Sequence, residues 1–459
     1  MPILKSYMVP HPPLIVPNIG KGGENQIKKT TESYETVAKE ISEIKPDTII
    51  ISSPHTNMYG DYFHITLGSK LTGSFKQFGA PEIAFTEEQD EELINEIEKL
   101  SDNYNFPAGR TTNIELDHGT MIPLYFIRKY YKDSKIIVLG PSGLPLIDNY
   151  MMGRIINEAV NNLNKKVVFI ASGDLSHKLQ TYGPYGYTEE GPEYDKKIME
   201  VCGKANFGEL LNFEESFLDK AAECGHRSFT IMAGLFDGMN VETKILSHED
   251  ITGVGYGIIT FTPTSNNEDR YFLDNYFNLL EEKLSKQQQT EDQYVKLARQ
   301  AIKEYITNGN TIEIPKNIQE ELITNKAGVF VSIHKFGSLR GCIGTIIPTT
   351  KCIAEEIIRN AISASTKDPR FPKITKEELE YLEINVDVLT TPEIIDNQDQ
   401  LDPKKYGVIV TSGYKQGVLL PDLDGIDTVD EQISIAMKKA NIKKEEKITL
   451  QRFEVIRHK

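Results

Sequence analysis

Short apolar runs that alternate with helical segments most constrain how the first part of this chain can fold. The runs Thr48–Ser53, Lys135–Gly140 and Lys166–Ser172 have the length and composition of buried strands. Segments with a helical spacing of apolar residues lie around them, at about 25–44, 86–100, 118–131, 150–163 and 226–237. Strands separated by helices of this length predict an α/β fold with a central mixed sheet flanked by helices.

The remainder of the 459-residue chain predicts a second domain. Residues 265–290 contain a loop signal and a polar helix-like stretch that ends in a glutamine run, which indicates a linker. Strand and helix patterns then alternate irregularly to the end of the chain. We therefore expect one domain at 1–264 and a smaller α+β domain at 291–459.

Charge and hydropathy exclude several classes of function. The formal net charge is −16, and residues 1–270 carry 25 basic and 38 acidic side chains. A surface of this sign repels phosphate backbones, so we expect no nucleic-acid partner. No apolar run is long enough for a membrane span, and the first residues lack the features of a signal peptide. The four cysteines form no CxxC pair, so a reducing cytoplasmic location is expected.

Histidines follow several of the predicted strands. His11, His55 and His177 come shortly after apolar runs, His118 lies in Glu-Leu-Asp-His-Gly-Thr and His226 lies in Ala-Glu-Cys-Gly-His-Arg-Ser. Ligands of open α/β sheets bind beyond the carboxyl ends of the strands, so these imidazoles are expected to meet there. Imidazole suits iron, zinc, copper and nickel, and two histidines with one carboxylate can hold either Fe(II) or a catalytic zinc.

Motifs around these histidines give residues 1–264 a family resemblance. The motifs are His11-Pro-Pro, Ser53-Pro-His55-Thr, Asp117-His118-Gly and Gly173-Asp174-Leu-Ser-His177. They resemble those of class III extradiol ring-cleavage dioxygenases and of the related Memo-like proteins. The resemblance implies that His11 and His55 bind the metal, that His177 is the acid/base and that His118 assists in the pocket.

The third metal ligand has two candidates, Glu223 and Cys224. The dioxygenases carry a Glu at this position and the Memo-like proteins carry a Cys. We expect Glu223 first, because a hard carboxylate suits Fe(II) with open coordination positions. If Cys224 is the ligand, ring cleavage becomes less expected.

Tyr182, Tyr185 and Tyr187 either line the substrate pocket or form a surface turn.

Residues 291–459 resemble the AMMECR-type domain. The matching strings are Leu339-Arg-Gly-Cys-Ile-Gly-Thr345, Asp368-Pro-Arg-Phe-Pro372, Gly328-Val-Phe-Val-Ser-Ile and Gly413-Tyr-Lys-Gln-Gly-Val-Leu-Leu-Pro421. Arg340 and Cys342 should share one strand face, where a cation can activate a thiol. Together with Arg370 they are a candidate second site. The alternative is a buried Cys with arginines held in ion pairs.

Three hypotheses about function follow. The first is an Fe(II)-dependent dioxygenase that acts on a catechol or a related enediol and dioxygen. The second is a metal-binding scaffold without ring cleavage. Fusion of the two domains resembles the AmmeMemoRadiSam system, which implies a radical SAM partner. The third is a zinc-dependent hydrolase. The sequence does not decide between a monomer and a homo-oligomer.

Overall fold

The computed structural model describes residues 3–112, 114–423 and 425–459. The chain divides into two compact units, residues 1–277 and 278–459. The boundary falls inside helix α9 (Phe272–Thr290), in the segment that the sequence assigns to the linker. Within the described ranges, no helix combines the length and apolar character needed to cross a membrane.

The N-terminal unit is built around one mixed sheet. The strands of this unit are β1 (Ile3–Val9), β2 (Thr48–Ser52), β3 (Phe63–Ile65), β4 (Lys70–Phe75), β5 (Ala80–Glu88), β6 (Ala108–Arg110), β7 (Lys135–Leu139), β8 (Val167–Ser172), β9 (Met239–Glu249) and β10 (Tyr256–Asn266), of which β4 and β5 lie outside the central sheet. Its helices are α1 (Pro17–Gly20), α2 (Lys28–Ile44), α3 (Glu91–Asn103), α4 (His118–Ile127), α5 (Leu146–Leu163), α6 (Glu190–Gly203), α7 (Glu215–Ala221) and α8 (His226–Gly234). This confirms the predicted α/β class.

The sheet order explains why the site forms where it does. Eight strands pair in the order β6-β3-β7-β2-β8-β1-β10-β9. Strands β7, β2, β8 and β1 are parallel neighbours, while β10 and β9 run antiparallel at one side. Every residue of β2 and β8 is buried, which accounts for their uninterrupted apolar sequences. The carboxyl ends of β2, β8 and β1 therefore lie at the same sheet edge.

One predicted helix begins later than its pattern suggests. The segment at 86–100 was predicted as helical throughout, but residues 80–88 form strand β5, which pairs with β4 in a hairpin. Helix α3 starts after Asp90, whose carboxylate accepts the backbone N–H of Leu93 at 3.3 Å. This capping interaction marks the N-terminus of α3.

The C-terminal unit is an α+β structure with two four-stranded sheets. Their orders are β12-β11-β13-β18 and β14-β17-β15-β16. The strands are β11 (Gly328–Lys335), β12 (Ser338–Gly344), β13 (Leu382–Leu389), β14 (Glu393–Ile395), β15 (Gly407–Ser412), β16 (Lys415–Leu419), β17 (Thr449–Phe453) and β18 (Val455–His458). The helices are α10 (Gln293–Asn308), α11 (Glu320–Thr324), α12 (Ile353–Thr366) and α13 (Val429–Lys439).

The final strand-forming stretch of the chain, residues 447–456, contributes to two strands in two different sheets. Strand β17 pairs with β15 and β14, whereas β18 pairs with β13. The break is at Glu454, whose backbone N–H donates to Thr390 Oγ1 at 2.9 Å. The apolar pattern continues through the break because both strands contribute to buried clusters, so composition alone does not reveal the change of sheet.

Candidate metal centre

Three imidazoles gather at the carboxyl edge of the central sheet. The ligating atoms of His11, His55 and His118 all lie within 4.8 Å of one another. The Nε2 atoms of His11 and His55 are 2.9 Å apart, and the rings of His55 and His118 have centroids 4.1 Å apart. His11 is buried, His118 is half-buried and His55 is exposed. The group therefore opens to solvent on the His55 side.

A hydrogen-bond chain behind His11 determines its tautomer. Ser172 Oγ donates to the carbonyl oxygen of Gly119 at 2.6 Å and lies 2.9 Å from His11 Nδ1. Because the single hydroxyl proton is used on Gly119, Ser172 must accept from His11 Nδ1–H. The lone pair of His11 therefore sits on Nε2, the atom that faces His55. An outer partner of this kind is typical of a metal-binding histidine.

The three rings are held in their neutral forms. Burial lowers the pKa of His11 well below its usual range, and the neighbouring imidazoles add to this effect. Burial also lowers the pKa of His118 to about 4, and the pKa of His55 is lowered by partial burial. Neutral imidazoles keep their lone pairs at neutral pH, so the group favours a metal cation over a proton.

His118 is presented to the group by the start of α4. Asp117 caps this helix by accepting the backbone N–H of Thr120 at 3.1 Å. The same Asp117 carboxylate accepts from Ser53 Oγ at 2.6 Å, which ties the helix start to the segment that carries His55. Asp117 therefore ties the segment that carries His55 to the helix start that carries His118, a structural role for the Asp-His-Gly motif.

Cys224, and not Glu223, lies beside the imidazoles. Cys224 Sγ is 3.5 Å from His11 Nε2 and accepts the backbone N–H of Asp174 at 3.3 Å. The carboxylate of Glu223 instead accepts the backbone N–H of His226 at 2.5 Å, at the start of α8. Burial raises the pKa of Glu223 to about 7. In the described part of the chain, the sulfur atom adjoins the imidazole group and the expected carboxylate is engaged elsewhere.

The loop that follows β8 carries the predicted acid/base, His177. A carbonyl can only accept, so the 2.5 Å contact between His177 Nδ1 and Ala222 O shows that Nδ1 holds the ring proton. In the neutral ring, Nε2 then carries the lone pair. Burial lowers the pKa of His177. Asp174 Oδ2 is 4.0 Å from His177 Nε2, and burial raises the pKa of this carboxyl to about 7.

Of the three tyrosines considered for the pocket, Tyr185 contacts a site residue. Its ring meets that of His177 edge-on, with 5.1 Å between centroids. Tyr182, Tyr185 and Tyr187 are 71%, 60% and 49% exposed. The run is therefore a surface turn, with Tyr185 at the solvent side of the acid/base.

Two further histidines are structural. His226 is fully buried, donates from Nε2 to the carbonyl of Leu210 at 3.0 Å and accepts from Tyr194 OH at 3.3 Å. His64 lies inside β3, where its nitrogens contact the hydroxyls of Thr111 and Thr66. Burial lowers the pKa of both rings to about 4, so both remain neutral core residues.

The donor set fits a borderline divalent cation. It combines neutral imidazole nitrogens, one of them with its lone pair oriented by an outer hydrogen bond, and a nearby sulfur atom. Iron, zinc and copper bind such ligands, while magnesium and calcium prefer oxygen. Burial holds the Cys224 thiol protonated, so metal binding through sulfur would release a proton.

Comparisons with known proteins identify both units. Residues 5–259 match the family model of the catalytic LigB subunit of aromatic ring-opening dioxygenase, and residues 295–458 match that of AMMECR1. A protein of Clostridium acetobutylicum is 43% identical over 463 residues, which cover 99% of this chain and 98% of its own. The chain belongs to the LigB family. The LigB domain is followed by an AMMECR1 domain, so the fused architecture is confirmed.

Shorter relatives match part of the chain. A protein of Thermotoga maritima is 48% identical over 171 residues, which are 37% of this chain and 98% of its own. The crystal structure of an uncharacterised protein from Pyrococcus horikoshii covers 36% of this chain and 88% of its own, with 34% identity and a TM-score of 0.34.

LigB proteins are metal-dependent in general, which agrees with the histidine-rich group described above.

In the AMMECR1 domain, the two arginines of the candidate second site are held in ion pairs. Arg340 pairs with Glu378 at 3.0 Å, and Arg370 pairs with Asp368 at 2.7 Å. Burial raises the pKa of Cys342, and its Sγ is 3.2 Å from Ser332 Oγ. These contacts support the structural alternative over an activated thiol.

Asp368 and Arg370 also complete the edge of the first sheet. Asp368 accepts the backbone N–H of Cys342 at 2.9 Å, and Arg370 donates to the Cys342 carbonyl at 3.3 Å. Cys342 lies on β12, the edge strand, so the two side chains replace the partner strand that it lacks. The Asp-Pro-Arg motif thus satisfies an exposed strand edge.

Several residues of the LigB site were missed in the sequence. Ser172 and the Ala222 carbonyl set two tautomers, while Asp195 and His248 hold the loop of His177. Backbone carbonyls have no sequence signature. Only the position of Ser172 at the end of β8, beside the Gly-Asp motif, was a usable signal.

Proposed function

We propose that the LigB domain is a non-haem Fe(II) oxidoreductase that acts on a catechol or a related enediol with dioxygen. The observation that carries the proposal is a group of neutral imidazoles around the oriented Nε2 lone pair of His11, with a separate histidine base nearby. Fe(II) bound there would activate the substrate oxygens as a Lewis acid and offer a position for dioxygen.

His177 is suited to take a proton from a substrate hydroxyl. Its Nε2 is the acceptor in the neutral ring, because Nδ1–H is used on Ala222 O. Burial keeps its pKa below the usual value, so the ring is neutral and ready to act as a base at pH 7. Asp174, 4.0 Å from Nε2, would stabilise the imidazolium that forms. We assign His118 to hydrogen bonding with the negative charge that develops on the substrate.

We propose His11, His55 and Cys224 as the ligands, with Cys224 in place of the carboxylate expected first. The support is the 3.5 Å separation of Cys224 Sγ from His11 Nε2 and the engagement of Glu223 with the backbone of His226. A thiolate is a softer ligand than a carboxylate, so a cysteine ligand changes which metal ions the site prefers.

The same position of Cys224 favours a second candidate function. In it, the LigB domain is a metal-binding scaffold without ring cleavage, and a radical SAM protein is its partner. Dioxygen uptake with a catechol separates the two candidates, because only the first consumes dioxygen.

The decisive experiment is anaerobic reconstitution with Fe(II), followed by nitric oxide and electron paramagnetic resonance. Nitric oxide occupies the position that dioxygen would take at an open iron site. We expect a high-spin iron–nitrosyl signal that is lost in His11→Ala and His55→Ala. His334→Ala, which removes a half-buried imidazole from the other unit, is the matched control and should keep it. A folded wild-type protein without the signal would contradict the proposal.

A further inference from the structure

A buried carboxylate outside the metal group holds the loop of His177. Asp195 projects from α6 and is 3% exposed. Its Oδ1 accepts the backbone N–H of Ser176 at 2.8 Å, one residue before His177. Burial raises the pKa of Asp195, so this carboxylate needs a partner to stay ionised.

That partner is His248, on β9. Its Nε2 lies 3.0 Å from Asp195 Oδ2. The side chain of His248 is 36% exposed and that of Asp195 is 4% exposed, so a solvent-accessible imidazole pairs with a buried carboxyl group. The hydrogen bond to Asp195 raises the pKa of His248, and the same bond opposes the effect of burial on Asp195.

Residue 255 is a glycine, and the absence of a side chain there leaves space for the Asp195 carboxylate. A Cβ on Gly255 would lie 2.0 Å from Asp195 Oδ2. The backbone of Gly255 pairs with the loop, because its N–H donates to Ser176 O at 2.8 Å and its carbonyl accepts from Leu175 N–H at 2.8 Å. Asp195 is therefore packed directly against the backbone that carries His177.

Ser176 connects Asp195 to the hydrogen bond that sets the His177 tautomer. Its amide is held by Asp195, and its Oγ donates to the carbonyl of Ala221 at 2.7 Å. The next residue, Ala222, supplies the carbonyl that accepts His177 Nδ1–H. Ser176 thus fixes both the donor and the acceptor of that bond.

We propose that Asp195 and His248 form a positioning pair that keeps His177 in the tautomer with Nε2 free to accept a proton. The inference rests on the proposed function, in which His177 is the acid/base. Asp195 and His248 touch neither the imidazole group nor the reacting atoms. Asp195 acts on His177 through Ser176, and its charge also opposes the lowering of the His177 pKa by burial.

A second carboxylate, Asp250, lies near the pair. Asp250 acts on Asp195 and His248 through its charge. His177 faces Asp174 and Tyr185. Asp250→Asn therefore removes a nearby negative charge while leaving the hydrogen bonds of the pair in place.

The test is side-chain nitrogen NMR of the full-length, metal-free protein with labelled histidine, at a pH where His177 is neutral. Nitrogen shifts distinguish the two neutral tautomers. We expect a single Nδ1–H form in the wild type and a mixture in Asp195→Asn, because a neutral amide accepts the Ser176 N–H less strongly than a carboxylate and has no negative charge to pair with His248. His248→Gln should also give a mixture, since Asp195 then loses its cation, while His248→Lys should restore the single form. Asp250→Asn should match the wild type.

His64 serves as an internal reference for folding, because its partners Thr66 and Thr111 lie on segments that contact neither Asp195 nor His248. A single Nδ1–H form of His177 in Asp195→Asn and in His248→Gln would overturn the proposal. If Asp195→Asn disturbs the reference signals, the surface variant His248→Gln decides by itself.

Kinetics and metal binding separate this inference from the proposed function. If catechol oxidation is present, Asp195→Asn should lower kcat about tenfold with KM unchanged, a size typical of residues that support a site from outside. Its iron–nitrosyl signal should equal that of the wild type. Absence of dioxygen uptake in the wild type would refute the oxidoreductase proposal, while the tautomer measurement would still report on the pair.

Discussion

The hydroxyl group of Ser172 orients His11, one of the proposed metal ligands. Because its proton is used on Gly119 O, it orients His11 with Nε2 toward the metal group. We expect Ser172→Ala to weaken Fe(II) or Co(II) affinity by about 10- to 100-fold. Equilibrium titration with Co(II) measures this directly. Ser52→Ala is the matched control, since Ser52 is equally buried but bonds Ser228; equal losses in both variants would contradict the role of Ser172.

Adjacent substitutions at Glu223 and Cys224 test the third ligand. Glu223→Gln keeps an oxygen that can accept the His226 N–H, so metal affinity should stay near that of the wild type. Cys224→Ser should change the visible spectrum of the Co(II) protein, because a sulfur-to-metal transition is lost. The opposite pattern would return the assignment to the carboxylate.

His177 and His118 are assigned to substrate chemistry and not to metal binding. We therefore expect His177→Ala and His118→Ala to retain the iron–nitrosyl signal while turnover with a catechol falls by 10² or more, about the size of a general acid–base contribution. Loss of the signal in His118→Ala would make this residue a ligand, as its place in the imidazole group also permits.

The contact between helices α5 and α8 shows how an element supports the site. Gly153 and Gly234 meet at this contact, where Cβ atoms would lie 2.0 Å from Ile231 O and 1.9 Å from Tyr150 O. Helix α8 begins two residues after Cys224, so this packing helps to position the sulfur. Gly153→Ala should lower the free energy of unfolding by about 1–3 kcal/mol, measured by denaturant titration. Gly60→Ala, with nothing within 4 Å, should be near neutral.

The ion pair between Asp368 and Arg370 at the edge of β12 indicates that the stability of the C-terminal unit depends on pH. The hydrogen bond from Arg370 lowers the pKa of Asp368 from 3.8 to about 2. A depressed carboxyl pKa stabilises the folded state above the unfolded value, and this contribution is lost as pH falls from 3.8 toward 2. As the pH falls from 3.8 toward 2, the free energy of unfolding should therefore decrease less in Asp368→Asn than in the wild type. Asp399→Asn, an exposed carboxylate, should follow the wild type.

For the whole chain, metal binding should stabilise the unit that contains the ligands. The two compact units have separate buried cores, and the imidazole group lies in residues 1–277. A ligand that binds only the folded state raises its melting temperature. Calorimetry with and without Fe(II) should show a rise in the transition of the N-terminal unit, and His11→Ala should abolish it. A shift that survives in His11→Ala would place the metal elsewhere.

Several features of the fold and site were readable from sequence because they depend on local patterns. Strands β2 and β8 are buried on both faces, so they must be continuously apolar. His11, His55 and His177 follow such strands, and parallel neighbours end at one edge, so their proximity could be inferred.

Tertiary structure alone decided the features that depend on distant residues. Cys224 lies 213 residues from His11 in the chain, and local sequence does not show which of Glu223 and Cys224 turns toward it. The tautomers of His11 and His177 depend on a hydroxyl and a carbonyl from other segments. The change of sheet at Glu454 likewise depends on pairing partners. The sequence by itself therefore determined the family, the α/β class and the edge where the site forms, because short-range hydrophobic patterns specify them. The orientation of each donor came from contacts that exist only once the chain is folded.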